Sequence, residues 1–157
     1  MDDQLCSAPI ASFRATASMD HWEEFNDFVE QQASHFLGSG KQSYNLRLAC
    51  EELVSNIIRH AGDHVLESPV ILELRVFLLQ RDHRPSLLIQ ISDDGPFYDP
   101  QIHQDRQIPA HLPAADRPIG GLGLFLVQQS VDLVEYAWIN DMNTYRLYVP
   151  LPQSASD

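Results

Sequence analysis

Glu52-Leu53-Val54-Ser55-Asn56-Ile57-Ile58-Arg59-His60 lies in a segment, from about Ser43 to Ala61, whose apolar residues recur at helical spacing: Leu46, Ala49, Cys50, Leu53, Val54 and Ile57. The spacing predicts a helix with those residues turned inward, ended by Ala61-Gly62-Asp63. Glu52 and Asn56, four apart, then share one face a turn apart. Glu52 can take a proton from water or from a hydroxyl near a terminal phosphate. The amide oxygen of Asn56 is the hard ligand Mg²⁺ favours when it bridges phosphates. The plain alternative is a pair of exposed polar residues on a helix. Glu51 points about 100° away and reads as the solvent carboxylate. His60 lies one further turn on, beside the same face. It precedes His64 by four residues, but Gly62 intervenes and no third ligand follows, so zinc is not expected.

Two further signals stand downstream. Residues 70–79 and 86–92 are apolar and β-prone around a polar turn from Gln80 to Pro85, which predicts a hairpin. Its second strand runs into Asp93-Asp94-Gly95. A carboxylate there is partly desolvated and wants a donor; an exocyclic adenine amine would satisfy it and select the base. The alternative is an Asx-type turn in which Asp93 bonds its own backbone. Residues 96–118 hold five prolines and no periodicity, the composition of a long loop or lid. Gly120-Gly121-Leu122-Gly123 then opens a third helix read to Asp132. Glycines permit positive φ and close backbone approach, and free N–H groups at a helix start favour phosphate. A plain hinge is the alternative, and the loop lacks the Gly-Lys-Ser/Thr of a Walker sequence.

Elsewhere, residues 8–16 alternate weakly and predict a first strand. A helix follows from Met19-Asp20, with Asp20 as cap and Glu23 three residues on. Its core face carries Trp22, Phe25, Phe28, Val29, Ala33, Phe36 and Leu37. Residues 133–139 and 144–150 predict a terminal hairpin around Asn140-Asp141-Met142-Asn143. Strand, two helices, hairpin, loop, helix, hairpin is the order of an α+β two-layer sandwich and lacks the alternating crossovers of a Rossmann sheet.

Composition narrows the function. Of 157 residues, 44% are hydrophobic and 20% charged, as in a globular chain able to bury a core. The net charge of −12 repels nucleic acid, so no nucleic-acid partner is expected. Cys6 and Cys50 make neither a metal spacing nor a disulfide framework, and Cys50 reads as a small core residue. Met1-Asp2-Asp3-Gln4 lacks the features of a signal peptide and no apolar run reaches membrane-spanning length, so a cytoplasmic protein is expected.

The three stretches together resemble the GHKL (Bergerat-fold) ATPases, the group of DNA gyrase, mismatch-repair ATPases and histidine kinases. Residues 52–60 resemble the N box. Asp93-Asp94-Gly95-Pro96-Phe97-Tyr98-Asp99-Pro100 is similar to the adenine-binding glycine box. Arg117-Pro118-Ile119-Gly120-Gly121-Leu122-Gly123-Leu124 is similar to the second glycine box, at the end of the ATP lid. Their wording and the short chain resemble the stand-alone anti-sigma-factor serine/threonine kinases.

The resemblance covers residues 8 to 150. It implies one histidine-kinase-like ATPase domain there, a lid over about 96–118, and tails at 1–7 and 151–157. The implied fold is a two-layer sandwich: a mixed, mostly antiparallel sheet with three helices on one face. The resemblance implies Glu52 as general base and Asn56 as Mg²⁺ ligand. It implies ATP contacts from Asn56, His60, Asp93, Gly95, Phe97, Arg117, Gly120, Gly121, Leu122, Gly123 and Leu124. It implies a STAS-type anti-anti-sigma protein as phosphate acceptor, a sigma factor as second partner, and a homodimer. A non-catalytic ATP-gated binding protein and a simple ATPase are the competing readings. Phe97 departs from the glycine common in the wider superfamily. A threonine that relatives often carry near the adenine pocket falls on Thr144 or Arg146. His21 and His35 are not expected to be phosphoacceptors.

Overall fold

Alternation along each strand dictates which side of the sheet is covered. In the computed structural model, which describes residues 8–63, 68–98, 100, 127 and 129–153, five strands form one sheet in the order β1-β2-β3-β5-β4. They are β1 (Ala11–Thr16), β2 (Ile71–Arg81), β3 (Arg84–Asp93), β4 (Leu133–Ile139) and β5 (Met142–Pro150). Leu72, Leu74 and Val76 of β2, Leu87, Ile89 and Ile91 of β3, and Tyr145, Leu147 and Val149 of β5 share the inner face. One row, Phe13–Leu74–Ile91–Tyr145–Tyr136, crosses all five strands in register.

Two helices supply the second layer. α1 (Trp22–Leu37) buries Phe25, Val29, Ala33 and Leu37, and α2 (Lys41–Gly62) buries Leu46, Ala49, Cys50, Leu53, Val54, Ile57 and Ile58. Phe25 meets Phe13 of β1 edge-on, with ring centroids 5.3 Å apart. Burial pushes the Cys50 thiol up to about 12, as befits a core residue. No described helix is long and apolar enough to cross a membrane.

The structure corrects several details. Among the described residues the sheet is not mixed: all four strand pairings are antiparallel. Asp20 is not the cap of the first helix. A 3-10 turn (Met19–His21) intervenes, and the Ser18 hydroxyl accepts from the Asp20 N–H at 3.2 Å, moving the start of α1 to Trp22. The third helix falls mostly outside the described residues; of its expected span, Val127, Gln129 and Ser130 are described as helical, and Val127 is fully buried.

Both hairpin turns are also tighter than the sequence suggests. Asp82-His83 and Asn140-Asp141 turn the chain in two residues, with φ of 52° and 62°, then 52° and 61°. Positive φ at both central positions is the type I′ geometry that matches strand twist. Pro85 and Asn143, expected in turns, therefore lie in β3 and β5. His83 holds a conformation costly for a residue with a Cβ. His83→Gly is expected to raise stability by about 1 kcal/mol, or about 2–4 °C in thermal unfolding.

Candidate functional site

One register step beyond the last complete apolar row comes Ala15–Leu72–Asp93–Asn143–Trp138. Positions 87, 89, 91 and 93 share a face, so Asp93 points toward the helices and not to solvent. It is 6% exposed. A cavity opens there, lined by Asn56, Ile57, His60 and Ala61 of α2, by Val70, by Asp93 to Tyr98, excluding Asp94, and by Asn143 and Tyr145 of β5.

Asp93 Oδ1 accepts from the Gly95 N–H at 3.0 Å and from Asn143 Nδ2 at 3.1 Å. The turn bond expected of an Asx residue is thus made by the same carboxylate that faces the cavity. Among the described residues no hydrogen bond engages Oδ2. Because no buried polar side-chain atom among the described residues lacks a partner, Oδ2 is the oxygen open to the cavity. Burial is the main influence on Asp93 and raises its pKa above the ordinary 3.8. The Asn143 and Gly95 bonds oppose the rise, Asp94 adds to it and His60 opposes it.

A raised carboxyl pKa favours the fold most below 3.8, and that contribution is lost as pH rises through the folded value. At neutral pH the ionised Asp93 therefore costs stability. Asp93→Asn keeps an acceptor for Gly95 and Asn143. It is expected to melt at a temperature no lower than wild type at about pH 7.5, with its advantage shrinking toward about pH 4. Thermal unfolding of both proteins across that range checks this.

Its neighbour does a different job. Asp94 is exposed, and its Oδ1 accepts from the Ile71 N–H at 2.7 Å, fastening the end of β3 to the start of β2. Gly95 is needed for the carboxylate itself: a Cβ there would stand 3.0 Å from Asp93 Oδ1 and 3.4 Å from Val70 Cγ2. Gly95→Ala is expected to displace Asp93 and weaken ligand binding at this cavity about tenfold, read by titration calorimetry.

On α2, Asn56 and His60 both reach the cavity, as their spacing predicted. The His60 ring lies against Tyr98, centroids 3.9 Å apart. Phe97 is 62% exposed and meets Trp138 edge-on at 5.4 Å, making an aromatic rim. Asn56 Oδ1 accepts a hydrogen bond from Arg59. That oxygen is the one a cation would use, so the guanidinium must swing aside for Mg²⁺ to take it. Glu52 is half-buried one turn earlier, roughly 6 Å along the axis. It does not line the cavity itself. Arg117, Gly120, Gly121, Leu122, Gly123 and Leu124 lie outside the described residues, as do Asp99 and residues 101–118 of the expected lid.

The expected threonine position is corrected. Thr144 and Arg146 pair with Ser92 and Gln90 and face the opposite side of the sheet. Arg146 Nε donates to Gln90 Oε1 at 2.9 Å, away from the cavity. Asn143, read as a turn residue, is the β5 side chain that enters the site.

A family model described as a histidine kinase-like ATPase domain matches residues 15–148. The chain belongs to that family. No curated protein matches it. Membership of a histidine kinase-like ATPase family of the GHKL type implies ATP binding and suggests ATP-dependent phosphotransfer in general. The side chains fit that ligand. Asp93 Oδ2 is an open buried acceptor for an adenine amine, and Asn56 offers an amide oxygen beside it. Asn56, with a hard amide oxygen, is the cavity residue that would hold Mg²⁺.

Proposed function

We propose that this ATPase domain is a serine/threonine protein kinase of the anti-sigma-factor type, acting on a STAS-type anti-anti-sigma protein and binding a sigma factor as its second partner. The observation that supports it is the α2 face on which Glu52 stands one turn before Asn56, which itself lines a cavity that presents the Asp93 carboxylate.

In this reading Asp93 Oδ2 accepts from the adenine amine and the aromatic rim of His60, Tyr98 and Phe97 excludes water. Asn56 would hold Mg²⁺, which when bound would supply positive charge to the phosphates. Glu52 removes the proton of a seryl or threonyl hydroxyl as its oxygen bonds to the γ-phosphorus. The bond from that phosphorus to the bridging oxygen breaks, and ADP leaves with the electron pair. Glu52 is half-buried and outside the cavity lining, one turn from Asn56, and in this reading it serves a hydroxyl brought by the acceptor protein.

The test is incubation of the full chain with Mg-ATP and the STAS-type proteins of its own genome, followed by mass mapping of phosphoserine and phosphothreonine. Transfer to one of them supports the proposal. Phosphate release with no phosphoprotein identifies a simple ATPase instead. Asn56→Ala is expected to weaken Mg-ATP binding about tenfold while leaving Mg²⁺-free ADP binding nearly unchanged, measured by calorimetry with and without chelator.

A further inference from the structure

The carboxamide of Asn143 uses every hydrogen-bonding capacity it has. Nδ2 donates to Asp93 Oδ1 at 3.1 Å and to the Pro96 carbonyl at 2.9 Å. Oδ1 accepts from the Tyr98 N–H at 3.0 Å and from the Tyr136 hydroxyl at 2.7 Å. Two donors and two acceptors are the full complement of an asparagine. The partners fix the orientation, since a flipped amide would set its oxygen against the Asp93 carboxylate and the Pro96 carbonyl and its NH₂ against the Tyr98 N–H. The residue is 3% exposed and pairs directly with Asp93 across β3 and β5.

Resting on the reading that this cavity takes ATP, we infer that Asn143 is the positioning residue for base selection. It holds one oxygen of Asp93 so that only the other faces the base, and it ties the Pro96–Tyr98 segment to the same point. Its side chain acts through Asp93. Adenine presents an amine at the position where guanine presents a carbonyl. A fixed, ionised carboxylate accepts from the first and repels the second. Without the Nδ2 donors, Asp93 is free to rotate and is more easily protonated, and a protonated acid can donate to the guanine carbonyl. The other groups facing Asp93 are Asp94 beside it and His60 from α2, with Tyr98, Tyr136 and Tyr145 close by.

The experiment compares ATP and GTP binding, each with Mg²⁺, to wild type, Asn143→Asp and Asn143→Ala across pH. Asn143→Asp keeps the acceptor bonds and sets a second carboxylate beside the first; Asn143→Ala removes the donors without adding charge. Both are expected to narrow the ATP-to-GTP preference about tenfold or more. In Asn143→Asp the pH at which half the ATP affinity is lost is expected to move up by about one unit or more. If both variants keep the wild-type preference and pH midpoint, whatever happens to their melting temperatures, the inference is overturned. If neither folds even in saturating ATP, the role is structural and the inference is likewise overturned. Wild type that binds no nucleotide refutes the ATP reading, and this inference with it.

Discussion

Glu52→Gln is expected to slow phosphotransfer to a seryl or threonyl acceptor by about 10²–10⁴-fold while leaving Mg-ATP affinity within about twofold. The separation follows from the geometry. Glu52 does not line the cavity, whereas Asn56 and Asp93 do. The substitution is nearly isosteric and removes the group that accepts the proton in the transition state, so the loss should appear in the rate and not in nucleotide binding. Single-turnover transfer beside a binding titration reads both quantities. Equal rates in the two proteins would remove Glu52 from the chemistry; no transfer by either, with Mg-ATP bound, would favour an ATP-gated binding protein.

The second large effect concerns the fold that holds the site. Phe25→Ala is expected to destabilise the chain by about 3–5 kcal/mol, lowering the unfolding temperature by about 10 °C. Phe25 is fully buried and, with Phe28, packs α1 on Phe13 of the edge strand β1. Its loss leaves a cavity between two elements that cannot close without moving the helix. The cavity at the candidate site is lined from α2, β3 and β5, with no residue of α1 or β1. Folded Phe25→Ala at low temperature is therefore expected to bind ATP with near-wild-type affinity. Chemical and thermal unfolding, with binding measured well below the transition, check both halves.

Periodicity made much of this legible. The apolar spacing of α2 placed Asn56 and His60 on the cavity side before any coordinates, and helical spacing in α1 placed Phe25, Val29, Ala33 and Leu37 inward. Strand alternation through Leu87, Ile89 and Ile91 carries Asp93 inward too, which decides between solvent and site for that carboxylate. Asn143 escaped because Asn140-Asp141-Met142-Asn143 is rich in turn formers, and residue preference alone spreads a turn across all four. The two-residue geometry confines it to Asn140-Asp141. Extending the alternation of Val149, Leu147 and Tyr145 backward by one step would have turned Asn143 inward and sent Thr144 and Arg146 outward. The Ser18 cap was hidden for a different reason: a short 3-10 turn ahead of α1 shifts the helix start without altering its apolar period. The roles of Arg59 and Gly95 depend on contacts between atoms that no spacing reveals, namely the bond to Asn56 Oδ1 and the close approach to Asp93 Oδ1.

The central claim is that Asp93 Oδ2 reads an adenine base. Calorimetric titration of Mg-ATP into the full chain, wild type beside Asp93→Asn, tests it most directly. Wild type is expected to bind, and Asp93→Asn to bind about 10–100-fold more weakly with no loss of melting temperature. Equal affinity in the two proteins, or no binding by wild type, would contradict the account.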